Sequence, residues 1–255
     1  MISSRSNGEV RILRQLLRDK GARDELGSFA AEGDHLCGEL VRSGFEAELF
    51  CYTRRAEEKY RGTVDKTRLK SLRSVVITEE IAEYISDTKS PQGLFVRAKK
   101  RKTELPPDVG KILVMDGVQD PGNVGTILRT AEALGISGAV LLDGCADIYS
   151  PKTLRASMGS VFRLPCVCAG ESFVRELAGR GFAVYGAILD ESAKRLGETV
   201  FSEKSAVVIG SEGAGISPRI AELCSGKIYI PIQGAESLNA AAAAAIIMWE
   251  MSKTP

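Results

Sequence analysis

Polar side chains that could bind or position a substrate follow apolar runs at three places in the C-terminal half of the chain. Asn123 and Arg129 lie in the first segment, Glu212 in the second, and Ser237 and Asn239 in the third. Their amide, guanidinium, carboxylate and hydroxyl groups could together hold a hydroxyl and a phosphate. Each segment alone is also typical of an ordinary glycine- and asparagine-rich turn, so the prediction of a site depends on all three.

The elements that would position these residues are buried strands alternating with helices. Apolar runs predict strands at 111–116, 138–142, 183–187, 206–210 and 227–231, and helical periodicity predicts helices at 125–134, 152–158, 173–180, 218–223 and 238–251. This alternation indicates an α/β fold with an open, mostly parallel sheet, which binds ligands beyond the carboxyl ends of its strands. A helix starting at Gly125 would place Arg129 near the first turns, where free N–H groups attract phosphate.

The first hundred residues predict a separate, small α/β domain. Helices at 9–20, 34–43 and 79–86 alternate with strands at 28–33, 48–53, 74–78 and 93–98, with Asp34 as a helix cap and Gly44 as a helix stop. A charged stretch with a Pro-Pro pair then breaks the pattern. We therefore expect a domain at 1–98, a linker at 99–110 and a second domain at 111–255.

Charge suggests a polyanionic partner for the first domain. Residues 1–102 carry 21 basic and 16 acidic residues, whereas the remainder carries 13 and 17. Lys152 and Arg155, in a hydroxyl-rich segment at 149–160, suit contact with a phosphate backbone. A solvated helix face explains these two residues equally well.

Several function classes are unsupported. His35 is the only histidine and the six cysteines form no C-x-x-C pair, so neither triad catalysis nor a His/Cys metal site is expected. No dinucleotide fingerprint or P-loop occurs. No apolar run reaches the about 18 residues of a membrane span, and the first residues lack the apolar core of a signal peptide. The sequence predicts a cytoplasmic protein that uses neither membrane nor metal.

In order and spacing, the segments at 120–130, 208–215 and 230–239 resemble the three motifs of the SpoU (TrmH-type) family of RNA ribose 2′-O-methyltransferases, in the SPOUT superfamily. The resemblance covers residues 111–255. It implies a deep C-terminal trefoil knot, S-adenosyl-L-methionine as the methyl donor, and a homodimer. The basic N-terminal domain is similar to the small, ribosomal-protein-like RNA-binding domain that many members carry.

The resemblance also implies roles for individual residues. The implied catalytic set is Arg129, Asn123, Glu212, Ser237 and Asn239, the donor-binding set is Gly210, Ile230, Ile232, Leu238 and Asn239, and the RNA contacts are Lys152 and Arg155. Family proposals make the arginine at 129 the group that activates the hydroxyl. A guanidinium is always protonated, so binding phosphate and orienting the ribose is the role its chemistry favours.

The implied substrate is large-subunit (23S) ribosomal RNA, and three alternatives stay open. They are a transfer RNA methyltransferase, a non-catalytic RNA-binding relative, and a small-molecule nucleotide enzyme of ordinary doubly wound fold. Two departures from the family pattern affect the donor loops: Ser211 stands where Asn is frequent, and the stretch from Pro231 to Ser237 is one residue shorter than in many members.

Overall fold

The computed structural model describes residues 1–234 and 237–254. Contacts within this part divide it into two units. The first comprises Met1–Arg101 together with Asp147–Phe162, and the second comprises Lys102–Ala146 with the chain from Arg163 onward. The segment that carries Lys152 and Arg155 therefore packs in the first unit, although it lies within the expected 111–255 domain. The functional division of the chain stays a prediction.

The helices and strands largely follow the predicted alternation. The helices are α1 (Gly8–Arg18), α2 (Lys20–Glu25), α3 (Asp34–Arg42), α4 (Arg54–Lys59), α5 (Arg61–Lys70), α6 (Glu79–Ile85), α7 (Pro121–Ala133), α8 (Pro151–Ser157), α9 (Ser172–Gly179), α10 (Pro218–Leu223) and α11 (Ala240–Ser252), with a 3-10 turn at Ser160–Phe162. The strands are β1 (Ser28–Glu32), β2 (Ala47–Tyr52), β3 (Ser74–Val76), β4 (Leu94–Lys99), β5 (Ile112–Asp116), β6 (Gly138–Leu141), β7 (Cys166–Cys168), β8 (Ala183–Ala187), β9 (Lys194–Arg195), β10 (Ser205–Gly210) and β11 (Gly226–Tyr229).

The first unit is built on a mixed sheet of order β1-β4-β2-β3, in which β4 runs antiparallel to both of its neighbours. The apolar face of α1, with Leu13 and Leu16 fully buried, packs with α6 over this sheet. Stacking of Phe29 on Tyr149, at 4.4 Å between ring centroids, joins the segment 147–162 to the unit. The Arg23–Asp147 ion pair, 2.6 Å long with Arg23 buried and Asp147 only slightly exposed, adds a second link.

The second unit contains a parallel sheet of order β7-β6-β5-β10-β8-β11-β9, counted over the described residues. All five strands predicted for this half are confirmed, and β7 and β9 extend the two edges. β10 lies between β5 and β8, so its side chains are buried from one end to the other. The prediction of a mostly parallel α/β sheet is confirmed.

Two predicted helix starts are wrong. α7 begins at Pro121 instead of Gly125 because Asp120 caps it, with its side chain accepting from the Asn123 N–H at 2.9 Å. Arg129 is therefore in the third turn and not near the helix start. In α3 the cap is Gly33, with φ of 96°, and Asp34 is the first helical residue. The predicted stop at Gly44 is confirmed by its φ of 70°.

No helix within 1–234 and 237–254 is long and apolar enough to cross a membrane. In the same residues, no three His, Cys, Asp or Glu side chains are grouped so that they could hold a metal ion.

Candidate active site

The parallel sheet brings the three motif segments to one edge of the second unit. β5 and β10 are neighbours with Asp116 opposite Gly210, so the first and second segments leave the sheet side by side. The third segment follows β11, on the far side of β8. Just past the second segment, the Ser217 N–H donates to Asp116 Oδ2 at 2.7 Å, which ties the two strand ends together.

Side-chain hydrogen bonds join one residue from each segment. Asn123 Nδ2 donates to Glu212 Oε1, and Asn239 Nδ2 donates to Asn123 Oδ1 at 3.1 Å. Asn123 thus stands between the acid of the second segment and the amide of the third. Three residues separated by up to 116 positions in sequence form one polar group, as the motif order predicts.

Both asparagines lie at helix N-termini. The Asn239 side chain caps α11 by accepting from the N–H groups of Ala241 at 2.9 Å and Ala242 at 3.2 Å. Asn123 is the third residue of α7. The positive ends of two helices therefore converge beside Glu212, an arrangement that stabilises a carboxylate or another anion there.

The loop that carries Glu212 is closed by its own backbone. Ser211 and Gly215 exchange two backbone hydrogen bonds of 3.1 and 3.0 Å, and the Ser211 hydroxyl accepts from the Ala214 N–H at 3.3 Å. A Cβ atom at position 210 would lie 2.0 Å from the Gly215 carbonyl carbon. This returning loop therefore requires glycine at 210.

An apolar cavity of about 150 Å³ lies between the ends of β8 and β11 and the helix α11. Its walls include Ile230, Ile232, Ser237 and Leu238 from the third segment, with Ala187, Ile188, Leu189, Ala243 and Ile247. Three of the predicted donor-binding residues and the predicted catalytic serine therefore share one cavity. Gly210 and Asn239 are not among its described lining residues. The shortened loop after Pro231 contains residues 235 and 236, outside the described residues.

The β8 wall of this cavity was missed by sequence reasoning. Ala187–Leu189 follow the carboxyl end of another strand of the same sheet, which is the signal that could have identified them. The turn beyond is fixed to β11 by the ion pair of Asp190 with Lys227, at 2.8 Å. The Lys227 ammonium, with the hydroxyl and N–H of Ser192, holds the pKa of Asp190 below its usual range.

Arg129 lies on a different face of α7 from Asn123. Six residues separate them, which on a helix is about 9 Å along the axis and about 120° around it. Arg129 instead lines a groove of about 620 Å³ between α7 and α11, with Thr126, Thr130, Ala245, Ile246 and Trp249 among its walls. Within one chain, the structure does not bring Arg129 together with the Asn123 group.

Lys152 and Arg155 are both exposed on α8 in the first unit. Arg155 pairs there with Asp87 at 3.0 Å. A solvated helix face, the alternative reading of these residues, is compatible with their exposure.

The fold and the site agree with the family that the motifs resemble. The chain matches the SpoU rRNA Methylase family over residues 110–249, more than half its length, and an MRM3-like substrate binding domain over residues 7–96. The chain belongs to the SpoU rRNA methylase family.

Relatives of known structure or name extend over the whole chain. It is 34% identical over 258 residues to the 23S rRNA (guanosine(2553)-2′-O)-methyltransferase RlmP of Bacillus subtilis, covering 98% of each protein. The AdoMet-bound rRNA methyltransferase of Sinorhizobium meliloti superposes with a TM-score of 0.88 at 30% identity, covering 99% of this chain and 97% of that one. The SpoU methyltransferase AviRb of Streptomyces viridochromogenes, in complex with AdoMet, gives 0.84 at 25% identity, with 97% of each chain covered.

Proposed function

We propose that this protein transfers a methyl group from S-adenosylmethionine to a ribose 2′-hydroxyl of large-subunit ribosomal RNA. The observation that carries the proposal is the hydrogen-bonded group Glu212–Asn123–Asn239, which unites the three SpoU motifs at one sheet edge. RlmP and AviRb, both similar over nearly the full chain, are methyltransferases by name, and the first acts on 23S rRNA. This similarity favours ribosomal over transfer RNA.

The cavity at Ile230, Ile232 and Leu238 fits the donor. Its apolar walls suit an adenine ring, and residues 230–232 leave the strand ladder, so their backbone groups can recognise the ring edge. S-adenosylmethionine supplies an electrophilic methyl group on a sulfonium. The chain's own task is to hold the acceptor ribose in line with that methyl and to exclude other orientations.

Asn123, Glu212 and Arg129 have complementary tasks in this scheme. Asn123 fixes the Glu212 carboxylate, so that the acid presents a defined acceptor at the carboxyl end of β10. Arg129 binds a phosphate of the RNA and orients the ribose, since a guanidinium keeps its proton at any working pH. Ser237 contributes a hydroxyl to the wall of the donor cavity.

The trefoil knot expected from the family is part of this proposal. β10 enters the sheet between β5 and β8, two strands that precede it in sequence, and α11 then packs against both α7 and β10. Insertion of a late strand between earlier ones, followed by a returning helix, is the arrangement that threading of the C-terminal segment would produce.

A homodimer through the groove between α7 and α11 is also proposed. Ile246 and Trp249 are 41% and 57% exposed there and line the same groove, so they form an apolar patch that is open to solvent. Pairing with a second copy would cover them. Arg129 lines the same groove, so pairing would also place its side chain next to the partner subunit.

The first unit is proposed to bind the RNA substrate. Its match to an MRM3-like substrate binding domain and its basic charge support this role. Lys152 and Arg155 would then contact phosphates from α8.

The test is donor binding followed by transfer. Calorimetry should detect one saturable site for S-adenosylmethionine or its demethylated product, and labelled methyl should appear in 23S rRNA as a 2′-O-methyl that resists alkaline cleavage. Folded protein that binds neither donor nor product, with rRNA present, would contradict the proposal. Binding of RNA alone would indicate a non-catalytic relative, and labelling of transfer RNA alone would move the substrate to that class.

A further inference from the structure

The first unit contains a polar cavity to which the proposed function gives no role. It has a volume of about 490 Å³ and lies between α4 and the loop 89–92. Its walls carry three basic side chains, Arg55, Lys59 and Lys89, against one acidic side chain, Glu83. Clefts of about 300–1,000 Å³ are the size that holds small ligands in proteins.

One side of the cavity is fixed where α4 begins. Thr53 caps α4 by accepting from the Ala56 N–H at 3.1 Å, and its own N–H donates to the Gly93 carbonyl at 2.9 Å. Gly93 has φ of 74°, and a Cβ there would lie 2.6 Å from Thr53 Oγ1. The end of the loop and the start of α4 therefore hold each other in place.

The other end of the loop is held by a buried acid. Glu32 is only 9% exposed, and its carboxylate accepts from Thr88 Oγ1 at 3.0 Å and from the Asp87 N–H at 3.2 Å. Lys89 follows directly. Gln92, later in the loop, accepts from the Asp34 N–H at 2.7 Å. The walls are thus positioned before any ligand arrives, which lowers the entropy lost on binding.

The cavity combines an aromatic ring with cations. Tyr60 contributes a half-exposed ring, with Lys59 Nζ at 5.2 Å from its centroid. Arg55 is 67% exposed and pairs with Glu79 at 3.2 Å, so it is held at the rim while its guanidinium still faces solvent. A ring on which a base can stack, next to cations that can bind phosphate, is how proteins bind unstacked nucleotides of RNA.

We propose that this cavity receives an unstacked nucleotide of the RNA substrate, with Tyr60 as the stacking surface and Arg55, Lys59 and Lys89 as phosphate contacts. The inference rests on the proposed function for the nature of the RNA. It adds the place on the first unit where a single nucleotide is held. An acidic peptide could bind the three basic side chains, but it has no base to stack on Tyr60. RNA has both phosphates and bases, so it matches the basic and the aromatic parts of the lining.

The first experiment reverses charge inside and outside the cavity. Lys59→Glu/Lys89→Glu should weaken binding to a 23S rRNA fragment about ten- to a hundred-fold near 100 mM salt. The slope of the logarithm of the binding constant against the logarithm of salt concentration should also become shallower, by the amount that about two phosphate contacts contribute. The matched control is Arg11→Glu/Arg18→Glu, the same charge change at two exposed positions of α1 outside the cavity. The control should retain most of the affinity. Thermal melting confirms that both variants are folded.

The second experiment separates stacking from charge. Tyr60→Leu should weaken RNA binding about five- to a hundred-fold because it removes the ring, whereas Tyr60→Phe should stay within about two-fold of wild type. If Tyr60→Leu and Tyr60→Phe change the RNA affinity equally, Tyr60 has no stacking role. Equal loss of binding to poly-glutamate and to RNA in the lysine variant would overturn the nucleotide assignment.

Donor binding and turnover keep this inference distinct from the proposed function. The cavity variants should bind S-adenosylmethionine as wild type does, because the donor cavity is lined by other residues. Their methyl transfer at sub-saturating RNA should fall in parallel with the loss of RNA affinity. If wild type methylates rRNA and the lysine variant binds RNA no worse than the α1 control, the inference alone fails. If wild type transfers no methyl but binds RNA through this cavity, the proposed function alone fails.

Discussion

Asparagine at position 123 uses both ends of its amide, and this makes it hard to replace. The nitrogen donates to Glu212 while the oxygen accepts from Asn239. An aspartate has nearly the same shape but no donor, and an alanine has neither group. The residue therefore links two motifs that are distant in sequence, and substitutions of it report on that linkage.

Asn123→Asp should reduce single-turnover methyl transfer about ten- to a hundred-fold, which corresponds to about 1.4–2.7 kcal/mol of barrier. The reason is that two carboxylates would face each other where an amide now donates to Glu212. Donor affinity should change less, because the apolar cavity does not include position 123.

A second substitution serves as the control. In Asn123→Asp/Glu212→Gln, glutamine can donate to the new carboxylate, so part of the lost transfer should return if Glu212 is needed only as a hydrogen-bond partner. No recovery, with Glu212→Gln alone already inactive, would show that the negative charge itself is required. Wild-type transfer by Asn123→Asp would contradict the linking role.

Arg129→Ala should strongly reduce transfer while leaving donor binding nearly intact. Removal of an orienting charge contact costs about 2–5 kcal/mol, or roughly thirty- to several-thousand-fold in rate. Arg129→Lys should recover little, since lysine keeps the charge but lacks the planar fork. Single-turnover transfer beside donor titration separates the two functions. Transfer near the wild-type rate in the alanine variant would leave Arg129 as a solvated groove residue.

Much of the candidate site could be predicted from local sequence because each polar residue lies in a segment that follows a strand of the same parallel sheet. Asn123, Glu212 and Asn239 meet for that reason. The position of Arg129 relative to Asn123 was mispredicted because the cap at Asp120 was not recognised. With the helix starting four residues earlier, Asn123 is itself helical and lies about 120° around α7 from Arg129. An Asp-Pro pair directly before a helical pattern is the signal for such an early start.

At the scale of elements, the loop 211–215 depends on a close approach that sequence cannot reveal. Gly210→Ala should destabilise the protein by about 1–3 kcal/mol and impair transfer, because the new methyl group would collide with the backbone of Gly215 and Ile216 and displace Glu212. Chemical denaturation and single-turnover transfer measure the two effects.

Gly213→Ala is the matched control for that substitution. A Cβ at 213 would have no neighbour within 4 Å, and the backbone there needs no positive φ. Its stability should stay within about 0.5 kcal/mol of wild type. If both alanine variants behave alike, backbone crowding at 210 is not the reason for glycine.

Most of the elements that sequence reasoning missed have no apolar stripe. α2, α4 and α5 lie in polar sequence where helical periodicity is weak, with Ala56 the buried side chain of α4. β9 is two residues long and exposed. Side-chain caps from Asp19 and Thr53 support α2 and α4, and pairing with β11 supports β9, so the pattern of buried side chains could not predict these elements.

At the scale of the whole molecule, two properties could not be read from any local pattern. The strand order places β10 between β5 and β8. This order is set by how helices and strands pack against one another in the folded unit, and the sequence of an individual strand does not encode it. The packing of segment 147–162 in the first unit depends on Phe29 and Arg23, more than a hundred residues earlier. The five strands predicted for the second unit, by contrast, could be identified from their apolar runs.

The homodimer is the last prediction and concerns the molecule as an assembly. Light scattering at micromolar concentration should give about twice the chain mass of 27.4 kDa. Ile246→Glu should yield monomers, because a charge would have to be buried in the groove where two copies meet. The same variant should lose methyl transfer but keep donor binding, since Arg129 lines that groove while the donor cavity lies elsewhere.

Leu69→Glu provides the control, because Leu69 is 86% exposed on α5 and lies far along the chain from the groove. It introduces the same charge in place of a comparable apolar side chain, so it should remain dimeric and active. A monomeric wild type that transfers methyl at full rate would contradict the dimer. A dimer that survives Ile246→Glu would place the interface on another surface, and Arg129 would then have to reach the ribose within its own chain. That outcome conflicts with its position about 120° around α7 from Asn123, so the mass measurement also tests where Arg129 acts.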